Sequence, residues 1–319
     1  MRIGLITNAQ STRNRRGLDR IRAVVARHPG TSHAELADVR HLEPTLAAFA
    51  RDGIGLIVIN GGDGTVQTAL TALVNSGAYP ALPRVAVLAG GMTNSIAIDV
   101  GVRGRPDKAL DRLCRRVGEG APLPCARRAL IGVRMGADAL PKYGLFLGAG
   151  AFHDGVLLVR RKVHPLGVER TMATGMGLGY AAIDVLRGKR ARRGTAYTGV
   201  PLSIRADGRP AFGERGFLLL GTTLERLMLR LWPFWSDGAG DLRLTAVEHP
   251  PAHLAWALPF ALFGRPRPWM AGAGYTSLRA RRATLELEGP LVLDGEFLPP
   301  SPDGQVLLDT DHAIDFVAL

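Results

Sequence analysis

The stretch Ile54-Gly55-Leu56-Ile57-Val58-Ile59-Asn60-Gly61-Gly62-Asp63-Gly64-Thr65 decides how the chain is read. Ile54–Ile59 is a continuous apolar run, the mark of a strand buried on both faces of a sheet. Glycines follow at once, and a helix is predicted from Thr65 to Asn75. In open α/β sheets, ligands bind beyond the carboxyl ends of the strands, which is where this loop falls. Gly61, Gly62 and Gly64 give the backbone access to φ > 0 and bring N–H groups close to an anion. Thr65 is expected to cap the following helix, whose N-terminus favours phosphate. Asp63 is the odd member, because a carboxylate beside phosphates is repelled unless it meets Mg²⁺ or a proton to be moved. Positioning, metal and neutralised charge are what phosphoryl transfer needs. The plainer alternative is a tight glycine turn in which Asp63 makes only a local hydrogen bond.

The same pattern lies on either side. Arg84–Leu88 reads as a strand, and Ala89-Gly90-Gly91-Met92-Thr93-Asn94-Ser95 leads from it into a helix near Asn94 to Ile98. Asn94 or Thr93 serving as an ordinary helix cap is the alternative there. Residues 2–7 read as the first strand, followed by a third loop, Asn8 to Asn14, with Asn8, Ser11 and Thr12 as candidate phosphate or ribose contacts. Helices are predicted over 17–28, over 43–51 and from Pro106 onward, where Ala109, Leu110, Leu113 and Val117 share a face. This alternation predicts an α/β nucleotide-binding domain with a mainly parallel sheet over residues 1–125, with 305–319 packing back on it.

Beyond residue 125 strands dominate, at 129–134, 143–147, 202–205, 217–221, 242–247 and 284–288. Thr284-Leu285-Glu286-Leu287-Glu288 alternates with period two, so one face is wet, which antiparallel sheets tolerate. Residues 126–304 are therefore expected to form a β-rich, antiparallel, sandwich-like domain. The segments 155–192 and 250–270 interrupt it, the first expected to be helical and the second partly so.

The chain has 319 residues, a net charge of +12 and two cysteines, Cys114 and Cys125, at no zinc or redox spacing. A reducing compartment is expected. The first residues turn polar too soon for a signal peptide. The longest apolar stretch, Pro250 to Gly264, is shorter than the roughly 20 residues that cross a bilayer. The positive charge suits nucleic acid or an anionic membrane surface, or reflects a general bias toward Arg and Ala. Its densest cluster is Arg187, Lys189, Arg190, Arg192 and Arg193. No RRM-like interleaving of aromatic and basic residues and no helix-turn-helix pattern stands out, so nucleic acid is not expected as a partner.

Taken together, these motifs resemble the diacylglycerol kinase catalytic-domain family, which includes bacterial lipid kinases, sphingosine kinases and ceramide kinases. Gly61-Gly62-Asp63-Gly64-Thr65 is similar to its GGDGT loop. Asn8-Ala9-Gln10-Ser11 resembles its N-P-x-S loop, with Ala9 for proline. Ala89 to Ala97 resembles its P-L-G-T-G-N-D-x-A segment, with Met92, Thr93 and Ser95 departing from Thr, Gly and Asp. Sphingosine kinases also lack that Asp, which tilts the expected acceptor toward a sphingolipid. Asp237-Gly238-Ala239-Gly240-Asp241-Leu242 resembles D-G-x-x-D-L, which implies Mg²⁺ at Asp241 with Asp237 nearby; an Asp-Gly hairpin turn is the alternative. Leu293-Asp294-Gly295-Glu296 resembles the D-G-E motif, which implies Glu296 as the general base for a lipid hydroxyl, with Asp63 holding the metal network and orienting that base. The resemblance implies that ATP is held by Asn8, Gly61, Gly62, Asp63, Gly64, Thr65, Gln67, Met92, Thr93 and Asn94, and that the two catalytic carboxylates converge from different domains.

The expectation is an ATP-dependent lipid kinase with Mg²⁺ as cofactor, acting on diacylglycerol, ceramide or a sphingoid base at an anionic membrane surface. It is expected to be cytoplasmic and peripheral to the inner membrane, with a homodimer left open. Leu229–Trp235 and Leu254–Arg265, with Trp269 beyond, could meet the membrane or fill the second core. His153 and Asp154 receive no role. A kinase of a soluble substrate related to NAD kinase, or a catalytically altered lipid-binding homologue, is the competing reading.

Overall fold

The computed structural model describes residues 1–36, 38–91, 94–163 and 199–319. Met92, Thr93 and the basic cluster Arg187 to Arg193 lie outside the described residues, and the helix expected over 155–192 is described only to Val163. Two units make up the chain: Met1–Arg128 with Ala313–Leu319, and Ala129–His312.

The first unit contains β1 (Arg2–Asn8), α1 (Asn14–Arg27), β2 (Thr31–Leu36), α2 (Leu42–Arg51), β3 (Ile54–Gly61), α3 (Asp63–Asn75), β4 (Arg84–Ala89), α4 (Ser95–Val100), α5 (Pro106–Gly118) and β5 (Cys125–Ala129), and it ends with the last strand of the chain, β18 (Ala313–Val317). Its six strands run in the order β2-β1-β3-β4-β18-β5, with β1 to β4 and β18 parallel along the sheet. One face of the sheet, with Leu5, Leu56, Val58, Ala86 and Leu88, packs on Ile21 and Val24 of α1 and on Leu110 and Leu113 of α5. On the other face Phe49 of α2 lies so close to Gly4 that a Cβ there would sit 2.5 Å from its ring. Helices on both faces explain why β3 reads as an unbroken apolar run.

The boundaries differ from expectation because pairing decides them. Cys125–Ala129 is the edge strand beside β18, so the first unit runs past residue 125. Gln305–Asp309 pairs with strands of the second unit, so the C-terminal return begins at Ala313, not at 305.

The second unit contains β6 (Ile131–Met135), β7 (Lys142–Gly144), β8 (Phe146–Gly150), α6 (Ala151–Val163), β9 (Val200–Ala206), β10 (Arg209–Phe212), β11 (Arg215–Thr222), β12 (Leu242–Glu248), α7 (Leu254–Leu262), α8 (Pro268–Gly272), β13 (Tyr275–Ala280), β14 (Arg282–Leu287), β15 (Leu291–Leu293), β16 (Glu296–Leu298) and β17 (Gln305–Asp309). Its 12 strands form an antiparallel sheet in the order β16-β15-β8-β11-β9-β14-β17-β6-β7, with β10, β12 and β13 branching off. The sheet curls so that Val133, Ile204, Leu285 and Val306 share one core with Leu147, Leu219, Leu244 and Leu291. β14 alternates exposed and buried positions as its sequence predicts.

Candidate active site

The chain runs from β1 outward to β2, then returns over β1 to β3 on its other side. Strand order therefore reverses between β1 and β3, and a crevice opens at their carboxyl ends. Asn14, the first residue of α1 and 2% exposed, stitches its floor. Its Nδ2 donates to the Asn8 carbonyl at 2.8 Å and to the Asn60 carbonyl at 3.0 Å. Asn8 Nδ2 donates across the crevice to Thr65 Oγ1 at 2.9 Å, and its Oδ1 accepts the Gln10 N–H. Arg13 pins the Ala89–Ser95 loop: its N–H donates to the Gly90 carbonyl and its guanidinium to the Ala89 carbonyl, both at 3.2 Å. Neither Asn14 nor Arg13 carries a sequence signal beyond lying in the Asn8–Asn14 loop. Among the described residues, the fully buried Asn60 has no hydrogen-bond partner for either amide atom, a local cost of about 1–3 kcal/mol.

Glycine is required here for a reason other than the expected one. Neither Gly61 nor Gly62 has positive φ, and Gly64 lies within α3. Close approach is what demands Gly61 and Gly91. A Cβ on Gly61 would lie 2.6 Å from Thr65 Cβ, and one on Gly91 would lie 2.3 Å from Gly62 Cα. The two glycine loops are thus packed backbone to backbone.

Helix α3 starts at Asp63, with extended Gly62 as N-cap and no side-chain cap. Thr65 is therefore inside the first turn, held by Asn8, and does not cap the helix. Among the described residues no side chain caps this first turn, whose N–H groups suit an anion. Gln67, expected among the nucleotide contacts, is buried and donates to Thr71 Oγ1 at 3.0 Å, one turn along its own helix.

Asp63 reaches across to the next loop. Its Oδ2 accepts the Ser95 N–H at 2.9 Å and its Oδ1 the Ile96 N–H at 3.3 Å, so it closes the N-terminus of α4. The Ser95 hydroxyl also bonds it. An acid at position 95 would set two carboxylates face to face, so Ser95 suits this arrangement. Burial pushes the Asp63 carboxyl above the usual range, against the pull of the Ser95 and Ile96 donors. Asn94 occupies the N-cap position of α4, but its side chain does not cap the helix. It sits at φ 52° and closes a ring onto Gly91, accepting its N–H and donating to its carbonyl, both at 2.9 Å. The other end of α4 is fixed by Asp99, whose fully buried carboxylate accepts from Arg128 at 2.8 Å.

In the second unit, Asp294 and Gly295 form the two-residue turn of the β15–β16 hairpin, at φ 47° and 88°. Asp294 is 7% exposed, and its carboxylate accepts the Leu145 and Phe146 N–H groups, each at 2.9 Å. This turn projects Glu296, exposed, at the head of β16. Asp237 and Asp241 are both exposed. Their hard oxygen donors suit Mg²⁺, but the Arg279 guanidinium already donates to the intervening Gly240 carbonyl at 2.8 Å and sets a fixed positive charge on the loop. Among the described residues, no three His, Cys, Asp or Glu side chains group to hold a metal. A resident Mg²⁺ at Asp237 and Asp241 does not fit this donor set. His153 bonds Asp154 at 3.1 Å and stacks edge-on against Phe297. Trp232 and Trp235 pack against core clusters, whereas Trp256 and Trp269 are exposed. Among the described residues, no helix is long and apolar enough to cross a membrane.

The model of the diacylglycerol kinase catalytic domain matches residues 2–122, the stretch that builds all three loops. This is the family that the motifs resemble. No curated protein matches the chain. The chain is similar to a solved diacylglycerol kinase of Bacillus anthracis str. Sterne, with 15% identity, a TM-score of 0.61, and 99% of this chain and 96% of that one covered. Two further structures from the same organism, provisionally assigned as diacylglycerol kinases, align over 99% of this chain. One covers 96% of its own length at 17% identity and a TM-score of 0.65, the other 97% at 18% and 0.64. At such identities the likeness is one of fold.

Proposed function

We propose that the chain transfers the γ-phosphoryl group of ATP to the hydroxyl of a membrane lipid, a diacylglycerol or a sphingolipid. The observation that carries this reading is the coincidence of the family match, residues 2–122, with a crevice whose α3 N-terminus is left uncapped. Backbone N–H groups at Gly62 to Thr65 receive the phosphates, and Asn8 and Asn14 tie the ends of β1 and β3 and the phosphate loop together beneath them. Mg²⁺ bound together with the nucleotide would supply neutralisation of the phosphate charge. Asp63 acts as a positioning residue: it locks the Ala89–Ser95 loop and α4 against the phosphate loop. Glu296 is the candidate to accept the acceptor proton. As the lipid oxygen bonds to the γ-phosphorus, the bond to the β–γ bridging oxygen breaks, ADP leaves, and the hydroxyl proton passes to the Glu296 carboxylate.

The test is purified full-length chain with labelled ATP·Mg²⁺ and a panel of diacylglycerol, ceramide, a sphingoid base and phosphatidylglycerol in mixed micelles. One lipid class should be labelled, and Glu296→Gln should lower turnover about 10²–10⁴-fold with ATP affinity retained. Turnover by Glu296→Gln near the wild-type rate would remove it as the base. Labelling of a soluble acceptor alone, such as NAD, would overturn the lipid reading.

A further inference from the structure

Helix α7 departs from the rule that an all-apolar helix is buried. Its residues Leu254-Ala255-Trp256-Ala257-Leu258-Pro259-Phe260-Ala261-Leu262 include no polar side chain, yet Ala257 alone among them is fully buried. Trp256 is 75% exposed, and beyond the helix Phe263 is 51% and Trp269 39% exposed. The support beneath them is firm. Ala257 and Met270 pack with Phe217, Val247 and Tyr275, and the Trp232 N–H donates to the Leu262 carbonyl at 2.7 Å. Between Trp256, Phe260 and Trp269 runs a groove of about 550 Å³. These aromatics are thus held outward by a built platform, and contiguous exposed apolar surface of this kind marks an interaction site.

Charge identifies what it meets. From His249 to Leu285 the chain has no Asp or Glu. Arg265 and Arg267 are exposed just past Phe263, and the Arg267 guanidinium lies 4.4 Å over the Phe260 ring. A second copy docking face to face would bring Arg265 and Arg267 against their own counterparts, with no acid in the segment from His249 to Leu285 to pair them. Lipid phosphates pair them, and the aromatic rings suit the headgroup level. At 1.5 Å per residue the helix is about 13 Å long, far short of the ~30 Å core, so it lies in the plane of the interface.

We propose that the α7–α8 face docks on an anionic bilayer, seating Trp256, Phe263 and Trp269 among the headgroups with Arg265 and Arg267 on lipid phosphates. The proposal rests on the lipid-kinase reading for its purpose, but it is tested without turnover.

The full chain is sedimented, in the absence of ATP, with vesicles of phosphatidylcholine alone or mixed with phosphatidylglycerol. Wild type should bind the mixed vesicles more tightly than the neutral ones, with tryptophan emission shifted to the blue and binding weakened by salt. Arg265→Gln with Arg267→Gln should weaken binding on the order of tenfold and flatten the salt dependence. Trp256→Ser with Trp269→Ser should abolish the blue shift while leaving the circular dichroism spectrum and the denaturation midpoint unchanged, which shows that the variant is folded. Equal vesicle binding by wild type and both variants would overturn the proposal. So would a change of oligomeric state in the tryptophan variant without a change in vesicle binding, which would assign the face to a second copy. Vesicle binding as expected, with no lipid labelled in the kinase assay, would instead overturn the activity and leave the docking face standing.

Discussion

Helices α3 and α4 both follow a parallel strand and a glycine pair, yet their N-termini are treated oppositely. At α3, Gly62 provides an extended cap with no side chain, and among the described residues no side chain closes the first turn. At α4, Asn94 turns left-handed and Asp63 reaches over from the first turn of α3 to take the Ser95 and Ile96 N–H groups. A carboxylate in the first turn of α3 would favour that helix's own dipole. Here its oxygens are directed at the neighbour instead. Two loops that look alike in sequence therefore differ in kind: one is a cradle for an anion, and the other is a wall held against it. Arg128 fastens the far end of the wall through Asp99, so α4 is fixed at both ends.

The largest effect should come from unfastening that far end. Arg128→Met takes from the fully buried Asp99 carboxylate its Arg128 partner, and should cost several kcal/mol, on the order of 3, in chemical denaturation followed by intrinsic fluorescence and circular dichroism. A loss of a few tenths would mean that α4 does not depend on this pair. A smaller effect is expected where the loops touch. Gly91→Ala places a Cβ 2.3 Å from Gly62 Cα and should cost about 1–3 kcal/mol. Because the displaced atom belongs to the cap of α3, the same variant should weaken ATP binding measured by calorimetry. Unchanged nucleotide affinity would separate the wall from the cradle.

The legible part of this architecture was whatever rests on local pattern. Ile54–Ile59 is apolar throughout because both sheet faces are covered, and Thr284–Glu288 alternates because one face is wet. Asp294-Gly295 is a turn pair, and it forms the turn. What stayed hidden depends on distant partners. The glycines of the phosphate loop read as donors of positive φ, but their sequence neighbours cannot reveal that Gly91, some thirty residues on, presses against Gly62. Asn14 and Arg13 look like ordinary polar residues at a helix start, and their roles come from carbonyls on β3 and β4. Strand β2, Thr31-Ser32-His33-Ala34-Glu35-Leu36, has no apolar alternation because it is an edge strand and largely half-buried. In α7 an apolar sequence suggested either core or membrane, and only exposure separates Trp256 from Trp235.

The smallest effect concerns the residue that makes the two helix starts differ. Asp63→Asn keeps one acceptor oxygen and removes the charge, so it should cost about 1 kcal/mol or less, seen as faster hydrogen exchange at the Ser95 and Ile96 amides. Its pH dependence carries the sharper information. Burial holds the Asp63 carboxyl above its ordinary 3.8, so folding favours the protonated form. Its contribution is fully present below pH 3.8 and is lost as pH rises through the raised folded value. Asp111, bonded by His28, and Asp303, bonded by Ser301, are held below the usual range and act in the opposite direction, so the whole-protein profile masks Asp63. The stability difference between wild type and Asp63→Asn isolates it, because those other groups are common to both. Wild type should have its greatest advantage at the acid end of the range, shrinking as pH rises. A gap that widens with pH would mean that the α4 amides stabilise the ionised carboxylate more than burial disfavours it, and that the wall at α4 is held by charge.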